Sequence, residues 1–187
     1  MKALLVVDVQ NDFCPGGALA VNEGNLVVEP INRLVKQFEA ESFPVVFTRD
    51  WHPANHVSFS PNGGIWPPHC VAGTKGAEFC STLYFPSVSL LVSKATAFDT
   101  EAYSGFQGTG LASYLKEVGV DSVVVAGLAT DYCVKNTVLD ALTLGFAVEV
   151  VSDAVRAVNV NPTDGEEALR EMEERGAQLV TSNEIRF

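Results

Sequence analysis

The chain has 187 residues, 47% of them hydrophobic, with 12 Lys plus Arg against 23 Asp plus Glu and a formal net charge of -11. This length and apolar content fit one domain with a complete core, residues 1–187, and leave no room for a separate substrate domain. The acidic balance, with no basic run, argues against a nucleic-acid surface or an anionic-membrane surface and suits a small neutral ligand.

Ala3 to Val7 is apolar but ends at Asp8, too short for a signal segment or a membrane span, so a cytoplasmic protein is expected. The four cysteines, Cys14, Cys70, Cys80 and Cys133, form no CxxC pair and no dense cluster. Neither a zinc ribbon nor a disulfide-stapled scaffold is indicated, and reduced thiols are expected.

Short β-branched runs at Ala3 to Val7, Val45 to Thr48, Leu90 to Ser93, Ser122 to Ala126, Ala147 to Val151 and Gln178 to Val180 predict six buried strands. Helical patterns lie between most of them. Ile31, Leu34, Val35 and Phe38 recur at i, i+3, i+4, i+7, and further helices fit Leu111 to Val118, Asp131 to Leu144 and Gly165 to Arg175. The alternation predicts a three-layer α/β/α domain, doubly wound around a mostly parallel six-stranded sheet. Two long segments, Gln10 to Asn25 and Trp51 to Pro86, interrupt the rhythm. Their Gly, Pro, His and aromatic content marks them as functional loops.

Ligands of open α/β sheets bind beyond the carboxyl ends of the strands. There the chain places Asp8, Asp50 with His52, Lys94, and the segment Gly127 to Cys133. Thr130 fits a helix N-cap with Cys133 in the first turn, where unpaired amides and the helix dipole favour a thiolate and can hold an oxyanion. Taken alone, Cys133 reads first as a buried packing residue. Asp8 could accept a thiol proton and Lys94 could hold that carboxylate, although a strand-end Asp is often a cap and a lone Lys is often a surface charge.

Asp50 and His52, two apart on extended chain, point the same way, and Trp66-Pro-Pro-His69 can return a third metal ligand. Such a mixed set suits Zn2+, Mn2+ or Fe2+. From spacing alone, hydrogen-bonding loop residues are an equal reading, and His56 is an equally available imidazole. Phe59, Phe79 and Phe106 read as core or loop packing.

Asp8-Val-Gln-Asn-Asp-Phe-Cys-Pro-Gly-Gly-Ala-Leu19, Asp50-Trp-His-Pro-Ala-Asn-His-Val-Ser-Phe59, Trp66-Pro-Pro-His-Cys70, Gly76-Ala-Glu-Phe79, Lys94, Ala102-Tyr-Ser-Gly-Phe106 and Gly127-Leu-Ala-Thr-Asp-Tyr-Cys133 resemble the nicotinamidases of the isochorismatase-like hydrolase superfamily. The match runs in order over nearly the whole chain. The resemblance implies a triad of Asp8, Lys94 and Cys133, and one divalent metal, Zn2+ foremost with Mn2+ or Fe2+ as alternatives, on Asp50, His52 and His69. It implies a cis peptide before Ala129, with the Ala129 and Cys133 amides as oxyanion hole.

By the same resemblance the substrate is nicotinamide, its pyridine nitrogen on the metal and its ring between Phe13, Trp66, Tyr103 and Tyr132. Hydrolysis gives nicotinate and ammonia through a Cys133 thioester, with pyrazinamide also accepted and a role in NAD recycling. A homo-oligomer is compatible with the pattern; nucleic-acid and membrane partners are not expected. Some relatives supply another ligand eight residues after the metal-binding Asp, where this chain has Ser58, so water is expected to complete the shell. The competing readings are a ureido or N-carbamoyl amidohydrolase of the same superfamily, whose members share the triad but generally lack the metal residues, and a non-enzymatic thiol or metal sensor.

Overall fold

The computed structural model describes residues 1–187. Its strands are β1 (Lys2–Val7), β2 (Val45–Asp50), β3 (Leu90–Lys94), β4 (Ser122–Leu128), β5 (Ala147–Arg156) and β6 (Gln178–Val180). They lie in the order β3-β2-β1-β4-β5-β6, and every neighbouring pair is parallel. The helices are α1 (Val28–Ala40), α2 (Leu111–Glu117), α3 (Lys135–Thr143) and α4 (Asp164–Glu174). No helix is long and apolar enough to cross a membrane.

Strand residues alternate between two cores because successive side chains of a strand point to opposite faces. Leu4, Val6, Phe47, Val124 and Ala126 pack on one face with Ile31, Leu34, Val35 and Phe38 of α1. Ala3, Leu5, Val7, Val123 and Val125 pack on the other with Leu115 of α2, Val138 of α3 and Met172 of α4. The predicted three layers therefore form, with α1 alone on one side. Full burial of each such aliphatic or aromatic side chain stabilises the fold by about 1.5–3 kcal/mol.

Register brings the carboxyl ends together. The ladder of β1 with β4 ends at Val7 opposite Gly127, and that of β2 with β3 ends at Asp50 opposite Lys94. Strands β2, β4 and β5 run past the predicted limits, β5 by five residues to Arg156, beyond a register irregularity between Val125 and Gly127 in its partner. Gly127 has φ +124, and a Cβ built there would sit 2.1 Å from the Val7 carbonyl oxygen. Gly127→Ala is therefore expected to cost roughly 2–6 kcal/mol, read as a lower denaturant midpoint. An unchanged midpoint would contradict the close approach.

The helix start that carries Cys133 also differs from expectation. Thr130–Val134 is a π-helical turn leading into α3, and Ala129, with no side-chain cap, takes the N-cap position that Thr130 was expected to fill. Cys14 and Cys80 form a disulfide, while Cys70 and Cys133 are free. This corrects the expectation of reduced thiols. The partners stand 66 residues apart and meet only because the two long loops fold over each other, so linear spacing carries no trace of the pair.

Candidate active site and metal centre

The loop following β1 begins with Asp8, whose φ of 48 turns the chain away from the sheet. Its carboxylate is fully buried. Thr48 donates to Asp8 Oδ1 at 2.6 Å, and Lys94 Nζ sits 2.8 Å from Asp8 Oδ2. The same ammonium lies 2.5 Å from Asp50 Oδ1 and donates to the Ala102 carbonyl at 3.2 Å and to Cys133 Sγ at 3.4 Å. Carboxylate oxygens of Asp8 and Asp50 and the Cys133 sulfur lie within 4.8 Å of one another. The structure thus brings Asp8, Lys94 and Cys133 together.

Burial opposes charge on all three groups. It pushes the Asp8 carboxyl above its ordinary range, against the pull of Lys94. Burial also works against the Lys94 ammonium, but Asp50 and Asp8 outweigh it and hold Lys94 protonated well above its usual value. The Cys133 thiol is pushed well up by burial, with Lys94 opposing. Burial therefore works against the thiolate that the helix start was expected to favour, and Lys94 works for it.

Ala129 follows a cis Leu128–Ala129 peptide, as the resemblance implied. Its carbonyl accepts the amides of Tyr132 and Val134 at 3.1 Å each, while its own amide donates to no protein acceptor. An unpaired amide beside a nucleophile is the arrangement an oxyanion hole requires.

Asp50, His52 and His69 converge, with one ligand atom from each within 4.8 Å of the others. His52 Nδ1 donates to the His69 carbonyl at 3.0 Å, and His69 Nδ1 donates to the Pro67 carbonyl at 2.8 Å. A carbonyl can only accept, so each ring carries a proton on Nδ1, and Nε2 is the nitrogen left to face a metal. Burial and the neighbouring imidazoles lower the His52 pKa to about 3, leaving its lone pair available. Two oriented imidazoles and a carboxylate fit a divalent metal with open positions.

His56 does not join them. Its Nε2 donates to the Thr100 carbonyl at 3.1 Å, and its Nδ1 accepts the Ser58 hydroxyl at 2.7 Å. Both ring nitrogens are engaged, and the Ser58 hydroxyl is committed to His56, which its position in the sequence alone did not reveal.

Above these groups lies a narrow pocket lined by Phe13, Leu19, Asp50, Trp66, His69, Tyr103, Ala129, Tyr132, Cys133 and Val158. All four predicted aromatics are present. Trp66 Nε1 donates to the Tyr103 hydroxyl at 3.0 Å, and Tyr132 packs 5.0 Å from Trp66 and 5.6 Å from Tyr103. Leu19 and Val158 are wall residues that sequence reasoning missed, Val158 because nothing near it in the chain signals a pocket. Phe59 and Phe106 are buried packing residues, as expected.

The Isochorismatase domain model matches residues 2–184. The chain is 41% identical to the nicotinamidase of Escherichia coli (strain K12) over 201 residues, covering 96% of this chain and 94% of that one. Among solved structures it is similar to the pyrazinamidase of Pyrococcus horikoshii in complex with zinc, with 49% identity, a TM-score of 0.92, and coverage of 96% and 98%. It is likewise similar to the PnC1 protein from L. infantum in complex with nicotinate, with 35% identity, a TM-score of 0.91, and coverage of 98% and 93%. With this fold, this cluster and these relatives, the chain belongs to the isochorismatase family, among its nicotinamidases and pyrazinamidases.

Proposed function

We propose that the chain is one amidase domain, residues 1–187, that hydrolyses nicotinamide to nicotinate and ammonia with Cys133 as nucleophile. The observation that carries this reading is the buried Asp8–Lys94–Cys133 cluster, sharing Lys94 with Asp50 of the metal-donor set. A thiol alone suits many reactions. A thiol beside ligands for a ring nitrogen, under an aromatic pocket, suits an amide carried on an azine ring.

Asp8 accepts the Cys133 proton as Sγ attacks the carboxamide carbon, and the oxyanion rests on the Ala129 and Cys133 amides. Lys94 stays protonated and balances the negative charge that moves between Asp8 and sulfur. Asp8 then gives its proton to the departing nitrogen as the C–N bond breaks, releasing ammonia and leaving a thioester. In the second half Asp8 takes a proton from water as that water attacks the thioester carbonyl; the C–S bond breaks and the Cys133 thiol is restored. Phe13, Trp66, Tyr103 and Tyr132 hold the ring flat. When bound on Asp50, His52 and His69, a divalent ion, with Zn2+ the first choice, supplies a Lewis-acidic anchor for the ring nitrogen. Pyrazinamide keeps both the ring nitrogen and the carboxamide and is accepted too, and a cytoplasmic role in NAD recycling fits this reaction.

Metal-loaded protein supplied with benzamide, which has the carboxamide but no ring nitrogen, is expected to release ammonia at least about 100-fold more slowly than with nicotinamide. Equal rates would remove the ring-nitrogen anchor from the reading. His52→Ala is expected to weaken metal binding at least about tenfold, measured as metal content after dialysis; unchanged stoichiometry would assign the ligand elsewhere.

A further inference from the structure

One short turn of the first loop carries three side chains that the chemistry above does not use. Gln10 is fully buried, yet it touches none of the reacting groups. Its amide accepts the Asp50 N–H at 2.8 Å, donates to the Asp50 carbonyl at 2.8 Å, and donates its second hydrogen to the Ala77 carbonyl at 2.9 Å. The reason lies in the sheet. The ladder of β1 with β2 stops at Val7 opposite Thr48, and after the turn at Asp8 the backbone of Asp50 has no β1 partner. The Gln10 side chain replaces the missing strand with a two-point pairing, and two bonds to one residue fix the rotation of its backbone. The direction of the Asp50 carboxylate follows from that rotation, and this carboxylate gives one oxygen, Oδ1, to Lys94.

Asp12 grips the other half of the donor set. Its Oδ2 accepts the Cys70 amide at 2.7 Å, and its Oδ1 accepts the Ala18 amide at 3.1 Å. Cys70 directly follows His69, and its carbonyl accepts the His52 amide at 3.0 Å. One residue held by Asp12, Cys70, therefore borders both imidazole-bearing residues. Gly76 packs against the carboxylate so closely that a Cβ there would lie 2.1 Å from Oδ2. Between them, Asn11 donates to the Lys75 carbonyl at 2.8 Å.

We propose that the turn Gln10 to Asp12 is a positioning element for the metal centre, with Gln10 setting Asp50 and Asp12 setting the segment of His52 and His69. This rests on the metal reading of Asp50, His52 and His69. Outer contacts of this kind typically govern metal affinity by 10- to 100-fold when removed.

The test measures zinc affinity by chelator competition, together with the metal-free melting temperature, for the parent, Gln10→Met, Asp12→Ala and Asp12→Asn. Gln10→Met and Asp12→Ala are expected to raise the zinc Kd about 10- to 100-fold. Asp12→Asn keeps an acceptor for the Cys70 amide and is expected to stay within about fivefold of the parent. Variants that melt lower without metal but bind zinc as the parent does would reduce the turn to a structural support and overturn the proposal. So would an Asp12→Asn protein as weak as Asp12→Ala. Should Gln10→Met fail to fold, the two Asp12 variants decide. A parent that takes up no zinc would instead sink the metal reading itself, which separates the two failures.

Discussion

Cys133→Ala is expected to lower kcat for nicotinamide by at least about 10⁴-fold while leaving the melting temperature and metal content near those of the parent. In the proposed mechanism the sulfur is the atom that bonds to the substrate carbon, and the pocket offers no second thiol to replace it. Alanine fills the site without adding charge, so the Asp8–Lys94–Asp50 contacts persist. Cys133→Ser should fail as well, because a serine hydroxyl is far harder to deprotonate than a thiol and Asp8 is a weak base for it. Steady-state kinetics with a parallel thermal melt check this. Residual turnover above a hundredth of the parent rate in either variant would remove Cys133 from the nucleophile's role.

Lys94→Met should be the most damaging single change for both stability and activity. Lys94 is 1% exposed and lies between two buried carboxylates, at 2.8 Å from Asp8 and 2.5 Å from Asp50. Removing one partner of a buried ion pair leaves an uncompensated charge, a loss of about 3–5 kcal/mol. For a chain of this size that is a fall in melting temperature of roughly 6–20 °C. Turnover should vanish along with it, because Asp8 without Lys94 holds its proton and cannot accept another from the thiol. A variant that melts within a degree or two of the parent would mean that Lys94 does not bridge the two carboxylates.

The layered sheet was legible because β1 to β6 are short β-branched runs and α1 shows a clean i, i+3, i+4, i+7 stripe. The carboxyl ends of the strands were legible for the same reason, and with them the neighbourhood of Asp8, Asp50, Lys94 and Cys133. Strand limits were less so. β5 continues through Ser152 and Asp153, where Ser152 donates to the Val180 carbonyl and Asp153 accepts from Ser182. Those partners lie 28 or 29 residues away, so the polar residues look locally like a strand end.

The same limit applies inside the site. Whether His56 or His69 completes the donor set was open from spacing, since both are imidazoles in one loop. In the structure the Thr100 carbonyl engages His56 from 44 residues away, while His69 is the imidazole grouped with Asp50 and His52. Burial was the other quantity hidden from the sequence, and it works against the thiolate that the helix start of Cys133 was expected to favour. Gln10 and Asp12 went unassigned because their partners, Asp50, Ala77 and Cys70, are brought within reach only by the folded loops.

The most direct test of the central claim follows nicotinamide by proton NMR with purified, zinc-loaded protein and assays ammonia in the same tube. Stoichiometric conversion to nicotinate and ammonia, absent in Cys133→Ala, is the predicted result. No conversion with zinc, manganese or iron supplied, alongside turnover of an N-carbamoyl amino acid, would contradict it.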